Sequence, residues 1–446
     1  MKTIQDLLSA KGSLRILSYL YHNPGTTVPM INVHFAQSPD LSLTTATIYR
    51  RVKELEQANL IVRLHTNSNR LILSLYAEEV LKKNNRWKKV NFQDIIQDLG
   101  NYFDIGTPVT HDKFSVYPLL KSDVSTLVLG LLEAEEQELA WIQESEGSES
   151  VELLEAINKS ELPVLIPYLH QVEGGKQDRT IFEPILIPVG HDEANPLKIP
   201  AKCIEQSRWR YSSSRGETTS LKFKSAKTRM ASQMANVSAK AGDQTTLWET
   251  VSAVAGALAL SEEDAPTHSY REIQEKSYEK DKHLKTLQET LSAATKLENQ
   301  MGIICAYSDK LLGVEIYGSP KLWSQFSEVV LKGFLTDRIF MQKIETDQNL
   351  PDNLEALLKG EFKDIKVKKE KATGVGDLFR FNNKKWQGIS IHYKGTPIHL
   401  YASKKQVDIL KGRTPGRVPR MPRIQVQNIQ DPRVQQQISL EQISDE

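Results

Sequence analysis

Between Phe114 and Val189 the chain carries a succession of short β-prone runs: Phe114 to Leu120, Leu127 to Leu132, Leu139 to Glu144, Val151 to Asn158, Val164 to Leu169 and Ile181 to Val189. Parallel neighbours need a crossover of a dozen or more residues between them, whereas these runs are separated by short, turn-forming segments. The spacing therefore predicts an antiparallel, strand-rich half. Helical patterns follow at Lys222 to Ala259 and at Tyr270 to Asn299. The second is predicted as one long charged helix with Leu284, Leu287, Leu291 and Leu297 on a narrow apolar stripe. Strands return at Ile303 to Tyr307 and Leu312 to Tyr317 around the turn Ser308-Asp309-Lys310. Helices are predicted from Pro320 to about Thr346 and from Asn353 to Lys359, then strands to Ser403. This irregular order of elements defines an α+β class with mainly antiparallel strands.

Ahead of that half lies a segment of different character. Leu14, Leu17, Leu20 and Tyr21 mark a helix that stops at Asn23-Pro24-Gly25, and Met30 to Ala36 forms a second. Ser42 to Leu60 is a third, with capping hydroxyls at its start and Ile48, Val52 and Leu55 at helical spacing. Leu60 to His65 and Arg70 to Leu75 then read as a hairpin, followed by a short helix from Glu78 to Val90. Three helices and a hairpin suggest a winged helix. In such a unit the N-terminal end of the third helix meets base edges. Thr44, Thr45, Thr47, Tyr49, Arg50 and Arg51 occupy that end, and Arg63, His65 and Arg70 lie on the wing.

Charge agrees with this placement. The chain carries a net charge of only +1, yet residues 1–90 hold 13 Lys and Arg against 6 Asp and Glu, while Glu133 to Glu161 is acid-rich. The basic end suits duplex DNA, because phosphate neutralisation needs cations on both helix and wing. The same cations would serve as the solvated face of a docking or dimerisation module. No apolar run reaches about 18 residues and no signal peptide is visible, so a cytoplasmic protein without a membrane partner is expected. Cys203 and Cys305 offer neither a disulfide framework nor a metal site. The Tyr270 to Asn299 stripe fits internal packing or a homodimer face. The tail interleaves Lys411, Arg413, Arg417, Arg420 and Arg423 with prolines and ends rich in Gln, a composition that favours disorder.

Chemistry concentrates in two clusters, Gly174-Gly175-Lys176-Gln177-Asp178-Arg179 and Cys203-Ile204-Glu205-Gln206-Ser207-Arg208-Trp209. The glycines free the backbone to approach a ligand, and Lys176, Arg179 and Arg208 supply charge for a pyrophosphate. Gln177 and Gln206 can read amide or hydroxyl groups, Trp209 or Trp248 can stack on a base, and Glu205 is the best available acid, base or ribose acceptor. Each residue also has a plainer reading: a turn at the glycines, Arg208 bracing Glu205, and tryptophans in the core. His170 stands without companion ligands and reads as structural, so no metal is expected. Gly374 to Asp377 (GVGD) lacks the context of a dinucleotide fingerprint and reads as a turn entering a strand.

An ordered series of segments carries a resemblance: VYPLL, GGKQDR, ILIPV, IPAKCIEQSRWRY, DQTTLWE and GIICAYSDKLLGVEIYGSP. Over residues 112–404 the chain resembles the ARG and Rhodanese-Phosphatase-superfamily-associated protein domain. The sequence TTATIYRRVKELEQANLI likewise resembles winged-helix transcription regulators over roughly residues 10–83. The first family has a Gly-Glu pair where Leu169-His170 stand here, Asn at Asp178 and Gly at Ser207, so its carboxylate is missing. The resemblance implies a link to NAD and ADP-ribose metabolism. The expected domains are a winged-helix DNA-binding domain at 1–90, a linker at 91–111, the large domain at 112–404 and a basic Pro/Gln-rich tail at 405–446. The leading functional expectation is a DNA-binding regulator whose large domain senses a nucleotide such as ADP-ribose or an NAD-related compound. An enzyme using Glu205 on such a nucleotide, and a protein-interaction or defence factor, are the alternatives.

Overall fold

A computed structural model describes residues 13–22, 25–37, 43–58, 60–63, 71–73, 99–121, 126, 128–145, 152–205, 222–241, 244–258, 260–261, 263–337 and 354–405. The Glu78 to Val90 helix and the tail from residue 406 onward, both expected from sequence, lie outside these residues.

The first segment contains α1 (Ser13–His22), α2 (Val28–Gln37) and α3 (Thr45–Gln57), then β1 (Ile61–Arg63) paired antiparallel with β2 (Leu71–Leu73). Its core draws on every one of these elements: Ile16, Leu17 and Leu20 from α1, Ile31 and Phe35 from α2, Ile48, Val52 and Leu55 from α3, and Ile61 and Leu71 from the hairpin. The third helix begins where Thr44 accepts the Thr47 N–H at 3.3 Å, satisfying one of the donors that a helix start leaves open.

The remainder is a mixed α+β assembly of mostly antiparallel strands. β3 (Asp104–Ile105), β4 (Val109–His111) and β5 (Phe114–Leu120) enter a nine-stranded sheet. The excursion that follows runs through β6 (Leu129–Gly130), α4 (Leu131–Glu136), β7 (Ala140–Glu144), β8 (Leu153–Asn158), β9 (Val164–Ile166), β10 (His170–Glu173), β11 (Arg179–Thr180), β12 (Ile185–Ile187), β13 (Leu197–Pro200), β14 (Lys202–Cys203) and β15 (Lys224–Arg229). These strands form three small sheets, ordered β14-β11-β10-β15, β12-β9-β6 and β13-β8-β7, in which only the β6–β9 pair is parallel. Next come α5 (Ser232–Ala241), α6 (Gln244–Ala257), α7 (Tyr270–Lys280) and α8 (Lys282–Leu291). β16 (Gln300–Tyr307) and β17 (Lys310–Tyr317) then return to the large sheet. After α9 (Pro320–Thr336) and α10 (Leu354–Phe362), it is completed by β18 (Lys366–Lys371), β19 (Asp377–Asn382), β20 (Trp386–Tyr393) and β21 (Thr396–Lys404). Its order is β18-β19-β20-β21-β17-β16-β5-β3, with β4 also on β5. One face buries Leu119, Ile304, Val314, Ile316, Phe381, Trp386 and Leu400 under Leu354, Leu358 and Phe362 of α10.

Four expectations change. The Leu127 to Leu132 run yields a two-residue strand and then α4, because Glu133, Ala134, Glu135 and Glu136 favour helix once Gly130 opens it. The Lys222 to Ala259 stretch starts as β15, whose strand character is hidden because Arg229 occupies a buried position. The Tyr270 to Asn299 helix is two: Asp281 leaves helical geometry at φ −90°, ψ 93°, and its carboxylate caps α8 by accepting from His283 and Leu284 N–H. Its Leu284, Leu287 and Leu291 are buried within the chain, which removes them as a homodimer face. Finally, residues 99–111, placed in the linker, carry a 3₁₀ turn and two strands of the sheet. GVGD is a turn entering β19, with positive φ at Gly374 and Gly376.

Candidate functional site

At the start of α3, Ile48, Val52 and Leu55 face the core, which turns Thr45, Tyr49, Arg50 and Lys53 outward. Tyr49 is 52% exposed. Thr44 and Thr47 are bonded to each other as the cap, with their hydroxyl oxygens 2.8 Å apart, and Arg51 pairs with Glu54 one turn on. Arg63 sits on β1, while Arg70 and His65 lie outside the described residues.

The described parts of the two sequence clusters, residues 174–179 and 203–205, meet in one largely buried unit. β10 ends at Glu173 and the chain turns through Gly174 at φ +103°, a conformation that a Cβ would strain. Gly175 permits a close approach: a Cβ there would lie 2.1 Å from the Phe223 ring and 2.7 Å from Glu144 Oε1. The turn delivers the Lys176 N–H to Glu144 Oε1 at 2.7 Å. Across the β11–β14 pairing, Gln177 Nε2 donates to the Glu205 carbonyl and the Asp178 N–H to Glu205 Oε2, both at 2.9 Å. Asp178 Oδ2 accepts from Ser269 Oγ at 2.7 Å and from Arg271 Nε at 2.9 Å. Arg271 also reaches Glu173 at 3.0 Å and Glu275 at 2.6 Å. Burial opposes its charge, but the carboxylates of Asp178, Glu275 and Glu173 hold the guanidinium above its ordinary pKa.

Arg179 is fully buried yet loosely held, with Nη1 3.4 Å from Gln177 Oε1 and Nη2 4.0 Å from Glu144 Oε1. Among the described residues its Nε and the Asp178 Oδ1 are buried without hydrogen-bond partners, whereas the Trp248 side chain on α6 is hydrogen-bonded to the Cys203 sulfur. Cys203 Sγ contacts the Glu205 carbonyl at 2.9 Å and Gln177 Oε1 at 3.3 Å. Burial pushes this thiol up, with the Arg179 guanidinium offsetting it only in part, so it is protonated and a poor nucleophile at neutral pH. Gln206, Arg208 and Trp209 lie outside the described residues. Glu144, Ser269 and Arg271 were not expected from sequence. The only hint was the i,i+4 spacing of Arg271 and Glu275, which is common on helices of any kind.

A second cluster, also missed, joins β15 to the large sheet. Arg229 Nη2 is 3.1 Å from Glu315 Oε2, and Glu315 Oε1 accepts from Tyr317 Oη and faces His399 Nε2, each at 3.1 Å. Arg229 is stacked 4.6 Å from the Phe334 ring centroid and donates to the Met230 carbonyl at 2.9 Å. Burial disfavours its charge, but Glu315 holds the pKa above its ordinary value. Nearby, burial raises Asp337 to about 6 although it accepts the Gln233 N–H. Among the described residues no group of three His, Cys, Asp or Glu side chains could hold a metal, and no helix is long and apolar enough to cross a membrane.

Leu169 adopts φ +63°, the left-handed region that favours glycine. His170 beside it is buried, with Nε2 2.8 Å from Ser225 Oγ and its ring edge-on to Phe326. Burial lowers its pKa to about 4. The folded state therefore refuses a proton that the unfolded chain takes up below about 6.5, so the stabilisation is present above 6.5 and is lost as pH falls towards 4. Full titration corresponds to about 3 kcal/mol. Glu135 and Asp337, raised to about 7 and about 6, titrate with the opposite sign, so the effect is read as a difference. In urea unfolding at pH 7 and pH 5, wild type is expected to lose more stability than His170→Gln over this interval. Equal losses would show that the ring is protonated in the fold.

Compared with known families, residues 102–403 match the model of the ARG and Rhodanese-Phosphatase-superfamily-associated Protein domain. No curated protein and no solved structure matches the chain.

Proposed function

The chain belongs to the ARG and Rhodanese-Phosphatase-superfamily-associated Protein domain family through residues 102–403, and from this premise we propose that it is a DNA-binding regulator whose large domain binds a nucleotide-type ligand. The observation that carries the DNA reading is the outward face of α3, where Thr45, Tyr49, Arg50 and Lys53 stand clear of the core on a capped helix that precedes a hairpin. That is the arrangement by which a winged helix offers hydroxyl, aromatic and guanidinium groups to a major groove. The ligand reading is supported by the half-buried Lys176 on a glycine turn and by the Arg179 Nε, a buried donor without a partner among the described residues. A buried donor without an acceptor is costly, and an anionic ligand such as ADP-ribose or an NAD-related compound would satisfy it. Glu205 is fully buried and accepts the Asp178 N–H, which suits a brace between the two clusters better than a group that touches substrate.

The test is fluorescence anisotropy of a labelled duplex titrated with protein at several KCl concentrations, with and without ADP-ribose. Log affinity is expected to fall linearly with log salt, the slope shrinking by about 1 in Arg50→Ala. ADP-ribose should shift the wild-type affinity and leave Arg179→Gln unmoved. Affinity indifferent to salt would sink the DNA reading, and identical curves with and without ADP-ribose would sink sensing of that ligand.

A further inference from the structure

Residues 354–405 hold twelve Lys and Arg against five Asp and Glu, a net charge of +7 in a chain whose total is only +1. The sheet gathers much of this charge at one corner. Lys366 at the start of β18 pairs with Asn382 of β19, Asn382 with Gln387 of β20, and the adjacent Trp386 with Lys404 of β21. Lys384 and Lys385 occupy the intervening β19–β20 turn. Lys405 is stitched to that turn, its N–H donating to the Lys385 carbonyl and its Nζ to the Asn383 carbonyl, both at 2.6 Å. Lys366, Lys384 and Lys385 are exposed. The ion pairs formed at this corner converge on Glu361 of α10, which is shared by Lys385 at 3.4 Å and Lys404 at 3.6 Å and also accepts the Trp386 indole N–H.

Lysines on an edge strand commonly guard against strand-to-strand aggregation. That accounts for Lys368, Lys369 and Lys371 along β18, the last strand of the sheet, whereas Lys366 at its start belongs to the corner. It does not account for Lys384, Lys385, Lys404 and Lys405, because β20 and β21 are interior strands with neighbours on both sides. We infer that this corner is a second nucleic-acid contact, a surface that grips the phosphate backbone of duplex DNA without reading its sequence. Ammonium groups on short, exposed turns are point charges suited to phosphate, and their ordered backbone fixes their spacing. An anionic membrane is the competing polyanion, but such surfaces combine cations with inserted apolar side chains. None of the exposed large hydrophobic residues lies within residues 354–405. The inference is independent of the reading of α3 and adds a site to it.

The experiment uses the full chain carrying Lys366→Gln, Lys384→Gln and Lys385→Gln, compared with wild type and also made in the Arg50→Ala background. Binding to a random-sequence duplex is followed by anisotropy from low to moderate KCl, with far-UV circular dichroism and the melting temperature verifying the fold. The expected result is a fall in affinity of roughly tenfold or more near 0.1 M salt and a salt slope smaller by about 2 to 3, one unit for each phosphate contact removed. The same decrement is expected in the Arg50→Ala background, so a failure of α3 to bind DNA leaves it visible. Unchanged affinity and slope in the folded triple variant would overturn the proposal. So would loss of binding to phosphatidylserine-containing vesicles while duplex binding stays intact.

Discussion

Glu315→Gln is expected to lower the unfolding free energy by about 3–5 kcal/mol, the usual consequence of removing one partner from a buried ion pair. The substitution keeps size and shape but deletes the charge that faces Arg229, whose guanidinium is buried between Phe334 and Tyr401 and cannot reach solvent. The new amide also brings donors to a position that accepts from Tyr317 and faces His399. A companion variant distinguishes loss of a charge partner from loss of packing. Arg229→Met combined with Glu315→Met replaces the pair with apolar groups and should cost much less than the sum of the single changes. Urea unfolding of all the variants provides the measurement. Strictly additive losses would mean that the pair contributes only as ordinary packing.

Gly302→Val is the second large effect, with an expected loss of about 3 kcal/mol or more, or failure to accumulate as folded protein. Gly302 lies in β16 opposite Ile316, and even a Cβ would stand 2.2 Å from the Glu315 carbonyl oxygen and 2.9 Å from Ile316 Cα. Both obstacles are backbone of the neighbouring strand, so relief requires the central strands of the large sheet to separate. Gly256→Ala is the control, because no atom of the described residues lies within 4 Å of its added Cβ on α6. That change should stabilise by about 0.5–1 kcal/mol through helix propensity. Thermal melts decide the matter, and a Gly302→Val protein that melts with wild type would show that the β16–β17 pairing is more pliable than its packing indicates.

The sequence reveals strands wherever apolar residues cluster, as in Phe114 to Leu120 and Ile303 to Tyr307, because burial there is continuous and local. It misleads at Lys224–Arg229, where the largest of the buried side chains is a cation whose partner Glu315 lies 86 residues away. A pattern of hydrophobicity cannot register a charge neutralised at that distance. Asp281 is a related case: the charge profile of a long helix is unbroken across it, and only its cap to His283 and Leu284 shows the division. For the candidate site, the sequence brings the correct segments to notice but not their partners. The density of polar residues in 174–179 and 203–205 marks a place where backbone and side chains meet, whereas Glu144, Ser269 and Arg271 come from other elements and carry no mark of their own. Asp178 illustrates the gain. Its carboxylate is answered by Arg271, from an element nearly a hundred residues on.

The pairing of β5 with β16 sets a timetable for synthesis. Tyr117 lies opposite Ile304, a separation of 187 residues. At roughly 5–20 residues per second, ribosomes need about 10–40 s to make the partner strand after Tyr117 has been added. Throughout that interval Phe114, Val116 and Leu119, all buried in the finished sheet, belong to a strand whose interior neighbour does not yet exist. These apolar residues stay without that partner until the segment containing β16 has emerged.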